Sequence, residues 1–256
     1  GYPLDAVVLT TGCDKTTPAS LMAAATVNIP AIILSGGPML NGFYKGKKVG
    51  SGTVIWQARK MLSRKEINYD EFMDLVAASA PSIGHCNTMG TALSMNVLAE
   101  GLGMSLPGCA AIPAPYKERA HVAYETRFRI VEMAYENLKP SDIIKKESLI
   151  NAIKIASAIG ASTNAPPHLI AIAKHSNINL NLDDWEKFGE KIPLIVNLQP
   201  AGEHLGEDFF KAGGVPAVMK ELLLNNALNK SCLTVTGKTV EENLINITNN
   251  GNDIIK

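Results

Sequence analysis

Net charge is the first thing this sequence lacks: 24 basic and 24 acidic side chains cancel over 256 residues. A balanced, moderately charged chain makes a poor electrostatic match for nucleic acid or an anionic membrane, so neither is expected as a partner. No apolar run approaches the ~20 residues that span a bilayer. No basic-then-apolar signal segment is visible either, and a cytoplasmic location is expected. Cysteine is scarce, with four residues at positions 13, 86, 109 and 232. They are too few and too dispersed for a disulfide scaffold, and no pair forms a C-x-x-C knuckle. The five histidines, at 85, 121, 168, 175 and 204, show no H-E-x-x-H spacing, which removes the zinc-hydrolase reading. Val235-Thr236-Gly237-Lys238-Thr239 ends like a phosphate-binding loop, but the position that needs the first glycine is Cys232. Internal repeats are absent, and no Pro/Ser/Gly linker divides the chain, so residues 1–256 are expected to form one domain. Aromatic residues reach only 5%, yet the 46% hydrophobic share is ample for a buried core and excludes disorder.

What is present is an alternation of strand and helix patterns, which predicts a layered α/β/α architecture with a mainly parallel sheet. A strand is expected over Leu4 to Leu9, and a helix over Ala19 to Val27 with Thr17 as cap and Pro18 in its first turn. A second strand over Ala31 to Leu34 completes a β-α-β unit. Further helices are expected near 53–62, 70–79, 88–102, 117–137, 147–158, 166–175 and 215–226. Further strands are expected at Pro193 to Leu198 and at Cys232 to Thr236, the latter followed by a cap at Thr239 and a short helix. The Asn/Lys-rich tail from Asn225 reads as solvated. Gly1 opens the chain without a Met and runs almost at once into a strand, which predicts a piece of a longer protein.

Three loops hold chemistry-bearing residues. In Cys13-Asp14-Lys15, a soft thiolate adjoins a hard carboxylate, so one turn could touch an iron–sulfur or zinc centre and a magnesium ion together. Lys15 can join as a ligand only when neutral, or after conversion by carbon dioxide to a carbamate. By itself such a tripeptide in a strand–helix turn is usually structural. Cys86, in Gly84-His85-Cys86-Asn87-Thr88-Met89-Gly90-Thr91, lies just before a helix whose N-terminus favours a thiolate. A buried capping cysteine is the alternative. Ser162-Thr163-Asn164, before the helix near Pro166, offers hydroxyl and N–H groups to an anion or serves as an ordinary capping loop. In parallel sheets ligands sit beyond the carboxyl ends of strands, where both Gly12-Cys13-Asp14-Lys15 and Ser35-Gly36-Gly37-Pro38 fall.

Taken together, Gly12-Cys13-Asp14-Lys15-Thr16-Thr17-Pro18-Ala19, Ser35-Gly36-Gly37-Pro38-Met39, the segment from Gly84 to Ala92 and the segment from Ala158 to Ala165 resemble the dihydroxy-acid and sugar-acid dehydratase family. The resemblance implies that this chain is the family's N-terminal α/β domain, without its C-terminal β-barrel. It implies an iron–sulfur cluster held by three cysteines, with Cys13 and Cys86 as two of them. The cluster is expected to be [2Fe–2S], with [4Fe–4S] as the alternative. It further implies a magnesium ion (Mg2+) bound by Asp14 and by Lys15 as its carbamate. The third cysteine, the other acidic ligands and the serine base of the family match no residue here, so the catalytic base is unassigned. His85, Ser162, Thr163 and Asn164 are candidates for substrate contacts, and Cys109 for packing.

The segments around Cys86 and from Pro107 to Arg119 look like the pentonate dehydratases, which act on acids such as L-arabinonate or D-xylonate. The branched-chain dihydroxy-acid dehydratases are the alternative, and an inactive fragment retaining only an assembly surface is a third reading. Dehydration of a 2,3-dihydroxy acid must loosen a weakly acidic C2 proton and expel a poor leaving group, and two Lewis acids answer both needs. A small sugar-acid or dihydroxy-acid substrate and a homodimer or homotetramer are what the resemblance implies.

Overall fold

The computed structural model describes residues 3–248 and 253–256. Strand β1 (Val7–Thr11) and strand β2 (Ala31–Ser35) pair in parallel, from Val7 opposite Ala31 to Thr11 opposite Ser35. Helix α1 (Thr16–Val27) crosses between them, so the expected β-α-β unit is present. It stops at Asn28, whose left-handed conformation (φ 54°) lets its N–H reach the Ala24 carbonyl. Thr17 is not the cap. It lies inside the first turn, fully buried, and donates to Asn96 Oδ1 at 3.2 Å.

An unforeseen hairpin follows, β3 (Gly42–Tyr44) and β4 (Lys47–Val49), turned through Lys45 and Gly46 at positive φ. Helices α2 (Val54–Ser63) and α3 (Tyr69–Ala78) pack with it around a small core of Val49, Val54, Ala58 and Leu75. The main core forms around α4 (Thr91–Gly101), a helix buried at every position from Ala92 to Gly101. Its apolar side chains are not confined to one stripe, as a central helix requires. Around it and the two strands stand α5 (Lys117–Glu136), α6 (Pro140–Ile143), α7 (Lys146–Ile159), α8 (Ala165–His175), α9 (Leu182–Gly189), α10 (Gly206–Lys211), α11 (Gly214–Leu224) and α12 (Val240–Asn243). Helices α1, α4 and α5 pack on the strands, α7 packs on α4, and α8 lies along α1. The architecture is α/β as expected, with a small sheet.

The seven later helices expected from periodicity are all present, the largest difference being a start at 91 instead of 88. Two expected strands are not. Among the described residues, segment 193–198 makes single bridges, Val196 with Ile255 and Leu198 with His204, because each neighbour runs alongside it for only a residue or so. Segment 232–236 turns back through Gly237 (φ 76°) and makes one bridge, Leu233 with Thr239. Thr239 does cap α12, accepting from Glu242 N–H. The tail is not solvated as composition suggested: Leu228, Val235, Val240, Leu244 and Ile255 all enter the main core. Residues 249–252 of that tail, like Gly1, lie outside the described residues.

Candidate functional site

Three loops meet where β1 and β2 end. Gly12 faces the His85 ring, since a Cβ placed on Gly12 would stand 3.9 Å from His85 Cδ2. His85 in turn is stitched to the loop after β2: its N–H donates to Gly37 O at 3.0 Å, and its carbonyl accepts from Met39 N–H at 2.9 Å. Close approach explains two glycines here. A Cβ on Gly84 (φ 128°) would lie 2.6 Å from Met39 N, and one on Gly37 (φ 86°) would collide with Ile112 O.

Asn96 of α4 fastens the first loop from beneath. Its Nδ2 donates to Gly12 O at 3.0 Å and Ala92 O at 2.8 Å, while Oδ1 accepts from the hydroxyls of Thr11 and Thr17. Thr16 Oγ1 accepts from Cys13 N–H and donates to Cys13 O, both at 3.1 Å. The fourth loop joins through α4 as well. Thr91 Oγ1 lies 2.8 Å from Ser162 Oγ and accepts from Asn164 Nδ2 at 2.9 Å, and Ser162 N–H donates to Ser94 Oγ. Thr163 is exposed beside them.

Both candidate cluster cysteines are free and exposed, whereas Cys109 is buried and Cys232 half-buried. Burial raises both covered thiols, Cys232 to about 11. Cys13 Sγ lies 3.5 Å from Asp14 Oδ1, and Lys15 Nζ lies 3.3 Å from Asp14 Oδ2. Slight burial pushes the Asp14 carboxyl up, but hydrogen bonds from Cys13 and Lys15 outweigh it and hold the group below its usual range. Thus the rim presents two soft thiols, one ionised carboxylate and a lysine. Among the described residues no three His, Cys, Asp or Glu side chains gather closely enough to hold a metal by themselves. The donors therefore form a partial set.

Two histidines carry buried ring nitrogens that have no hydrogen-bond partner among the described residues. His85 Nδ1 lies 2.8 Å from Cys86 O, so it bears the proton, and the buried Nε2 is a lone pair without a partner. Burial, aided by Arg119, depresses its pKa to about 4, which keeps the ring neutral near pH 7. His168, in the first turns of α8, also has a buried, unpartnered Nε2. Burial and the nearby Lys15 charge lower its pKa, and Asp14 partly offsets them. Sequence reading passed over His168 because it sought ligand spacing, and this residue reaches the rim only by the packing of α8 on α1.

Beneath the rim lies a polar cradle that the sequence did not announce. Arg119 donates to Ser35 O at 2.6 Å, to Cys109 O at 2.9 Å and to Ile112 O. Glu100, buried within α4, accepts from Gly108 N–H at 2.6 Å and Ala110 N–H at 2.8 Å. Burial lifts its carboxyl to about 7 despite those bonds and the Arg119 charge. The one available signal was a lone acid inside an otherwise uncharged helix.

Comparison with known proteins bears on this rim. A family model described as dihydroxy-acid/6-phosphogluconate dehydratase N-terminal matches residues 1–243. A D-xylonate dehydratase of Caulobacter vibrioides is 61% identical over 244 residues, covering 95% of this chain and 41% of that protein. An L-arabinonate dehydratase of Rhizobium leguminosarum bv. trifolii is 48% identical over 255 residues, covering 100% of this chain and 44% of the relative. A dihydroxy-acid dehydratase of Clostridium novyi is 43% identical over 245 residues, covering 96% and 44%. The chain thus spans less than half the length of these curated relatives.

Proposed function

Given that the chain belongs to the dihydroxy-acid/6-phosphogluconate dehydratase family as its N-terminal domain, we propose that the whole protein is a hydro-lyase. It converts a pentonate such as D-xylonate or L-arabinonate to the 2-keto-3-deoxy acid. The observation that carries this reading is the meeting of the Cys13 and Cys86 loops at Gly12 and His85, with Asp14 and Lys15 on the same turn. The donor chemistry fits an iron–sulfur cluster and a magnesium ion side by side, since both thiols are free and exposed and the carboxylate is held ionised.

In this reading Cys13 and Cys86 hold the cluster, [2Fe–2S] or alternatively [4Fe–4S], and Asp14 with carbamylated Lys15 holds magnesium. When bound, the two centres supply Lewis acidity for the leaving hydroxyl and for the substrate carboxylate. The chain does the positioning. Asn96 and Thr16 lock the Cys13 backbone, so the thiol and carboxylate are presented without reorganisation. Ser162, Thr163 and Asn164, fixed through Thr91, offer polar contacts to substrate. Neutral His85 offers a hydrogen-bond acceptor at Nε2 to a substrate hydroxyl.

Similarity favours the sugar acids, at 61% and 48% identity to pentonate dehydratases against 43% to a dihydroxy-acid dehydratase. That last relative supports a second reading, a dihydroxy-acid substrate of branched-chain amino-acid synthesis. An anaerobic assay of the full-length protein against pentonates, hexonates and 2,3-dihydroxyisovalerate, detecting keto acid, separates them. Turnover of a pentonate is expected to dominate. Exclusive turnover of 2,3-dihydroxyisovalerate would select the second reading, and no keto acid from any of them would overturn both.

A further inference from the structure

Beside the rim, His168 has no task in the chemistry proposed so far, yet the packing of its helix fixes where it lies. Helices α1 and α8 pack together. At one end Thr26 Oγ1 of α1 lies 2.7 Å from His175 Nδ1 of α8. At the other end both helices start from loops held by α4: Asn96 binds Gly12 and Thr17, while Thr91 meets Ser162 and Asn164. The two helices therefore run parallel. Thr26 follows Lys15 by eleven residues and His175 follows His168 by seven, spacings that return to the same helix face. Lys15 shares that face because, at the N-cap of α1, it already has right-handed helical dihedrals (φ −104°, ψ −27°). With Thr26 and His175 matched, Lys15 stands about four residues, or roughly 6 Å, beyond His168 toward the N-terminal end. Helical side chains lean toward that end, so the imidazole leans toward Lys15. The charges agree with this register: burial lowers the His168 pKa, the Lys15 charge lowers it further, and Asp14 raises it.

His168 Nε2 is buried and meets no hydrogen-bond partner among the described residues. An atom in that state is costly unless something completes it. Lys15 is free to do so: its side chain is 67% exposed, and among the described residues its Nζ meets only Asp14 Oδ2 of the same turn. We propose that His168 is a positioning residue for Lys15, its Nε2–H donating to an oxygen of the Lys15 carbamate and holding that group for magnesium. The inference rests on the magnesium site proposed above, and not on the cluster or on which acid is dehydrated. The carbamate forms when neutral Nζ adds to carbon dioxide. One N–C bond forms, one C=O π pair moves onto oxygen, and one proton leaves the nitrogen for water. An anion then stands where a cation stood, and a hydrogen bond to the charged form favours it. Metal-ligating carboxylates are commonly oriented by such a neighbour. A neutral imidazole carries the one N–H required.

The test is the carbamate carbon resonance of the full-length protein, equilibrated with magnesium chloride and isotope-labelled bicarbonate, with circular dichroism to confirm folding. Lys15→Arg identifies the resonance by removing it. His168→Leu is expected to raise the bicarbonate concentration needed for half the signal about tenfold or more, the range of a hydrogen bond to a charged group. His168→Gln, whose amide nitrogen reaches the place of Nε2, is expected to recover most of that loss. A folded His168→Leu protein with the parent's bicarbonate dependence overturns the proposal. So does a His168→Gln protein no better than His168→Leu, which assigns the effect to packing. If His168→Leu does not fold, His168→Asn decides. Its amide stands at the place of Nδ1, short of Nε2, so the same loss is expected, and a parent-like dependence is the overturning result. A parent protein with no resonance that Lys15→Arg removes is a different failure: it overturns the magnesium site itself, and this inference with it.

Discussion

Cys13 and Cys86 stand in solvent on loops fastened from below, whereas Cys109 is sealed against Arg119 in the layer underneath. The two layers divide the work. In the cradle the main polar groups are met: Glu100 takes two backbone N–H groups, and Arg119 takes three carbonyls. At the rim both thiols are exposed, the Asp14 carboxylate is met by Cys13 and Lys15 of its own turn, and two buried imidazole nitrogens have no partner among the described residues. Buried polar groups are costly unless paired, and the cradle pairs most of its own, with Arg119 Nε left without a partner among the described residues. Groups meant for a ligand must remain unsatisfied until it arrives. Mutations should therefore separate the layers, with chemistry lost at the rim and stability lost in the cradle.

The largest effect is expected at the rim. In the full-length protein, Cys13→Ser or Cys86→Ser should abolish visible cluster absorbance and activity, and in the chain without a cluster either should shift stability by less than about 0.5 kcal/mol, because both sites are exposed. Parent-like turnover in either variant would break the contrast. Lys15→Gln should lose magnesium-dependent activity and keep the cluster spectrum, and surviving activity would remove the carbamate role. In the cradle, Arg119→Met leaves three carbonyls without their donor and should cost about 4 kcal/mol in urea unfolding. Arg119→Lys should recover only part, since one ammonium cannot reproduce the guanidinium fork.

Glu100 gives the cradle a pH signature. Its folded pKa, about 7, lies above the ordinary 4.5, so the folded chain binds this proton more tightly than the unfolded one. That contribution is fully present below about pH 4.5 and is lost as pH rises through about 7, a change of about 3 kcal/mol. Urea midpoints across this range should show the parent losing stability relative to Glu100→Gln as pH rises. A difference independent of pH would show that Glu100 is ionised throughout. The smallest effect belongs to the substrate loop: Asn164→Ala removes one exposed hydrogen bond to Thr91 and should cost about 0.5–1 kcal/mol. If the loop contacts substrate, KM for the pentonate should rise more than kcat falls.

Local pattern made much of the fold legible. Helices α2 to α5, α7, α8 and α11 follow from apolar periodicity and from breakers such as Asn28 and Gly160. The hairpin of β3 and β4 escaped because its strands are three residues each and its turn, Lys45-Gly46, gives a weak signal. Segments 193–198 and 232–236 have strand-like composition, but a strand needs a neighbour, and composition does not supply one. At the site, the residue types of Cys13-Asp14-Lys15 suggested the ligand chemistry on which the proposed function rests. His168, Asn96, Arg119 and Glu100 stayed hidden because their partners lie far away in sequence or in other elements.

From its residues alone the chain determined the order of its main helices, the β-α-β unit and the loops that bear thiol, carboxylate and hydroxyl groups. These depend on dihedral preference, periodicity and turn chemistry, which act over a few residues. Tertiary structure alone decided which cysteines reach solvent, that Thr17 pairs with Asn96 instead of capping its helix, and that Glu100 holds its proton near neutrality. Exposure, desolvation and long-range hydrogen bonding are properties of surroundings, and surroundings exist only once distant segments have packed.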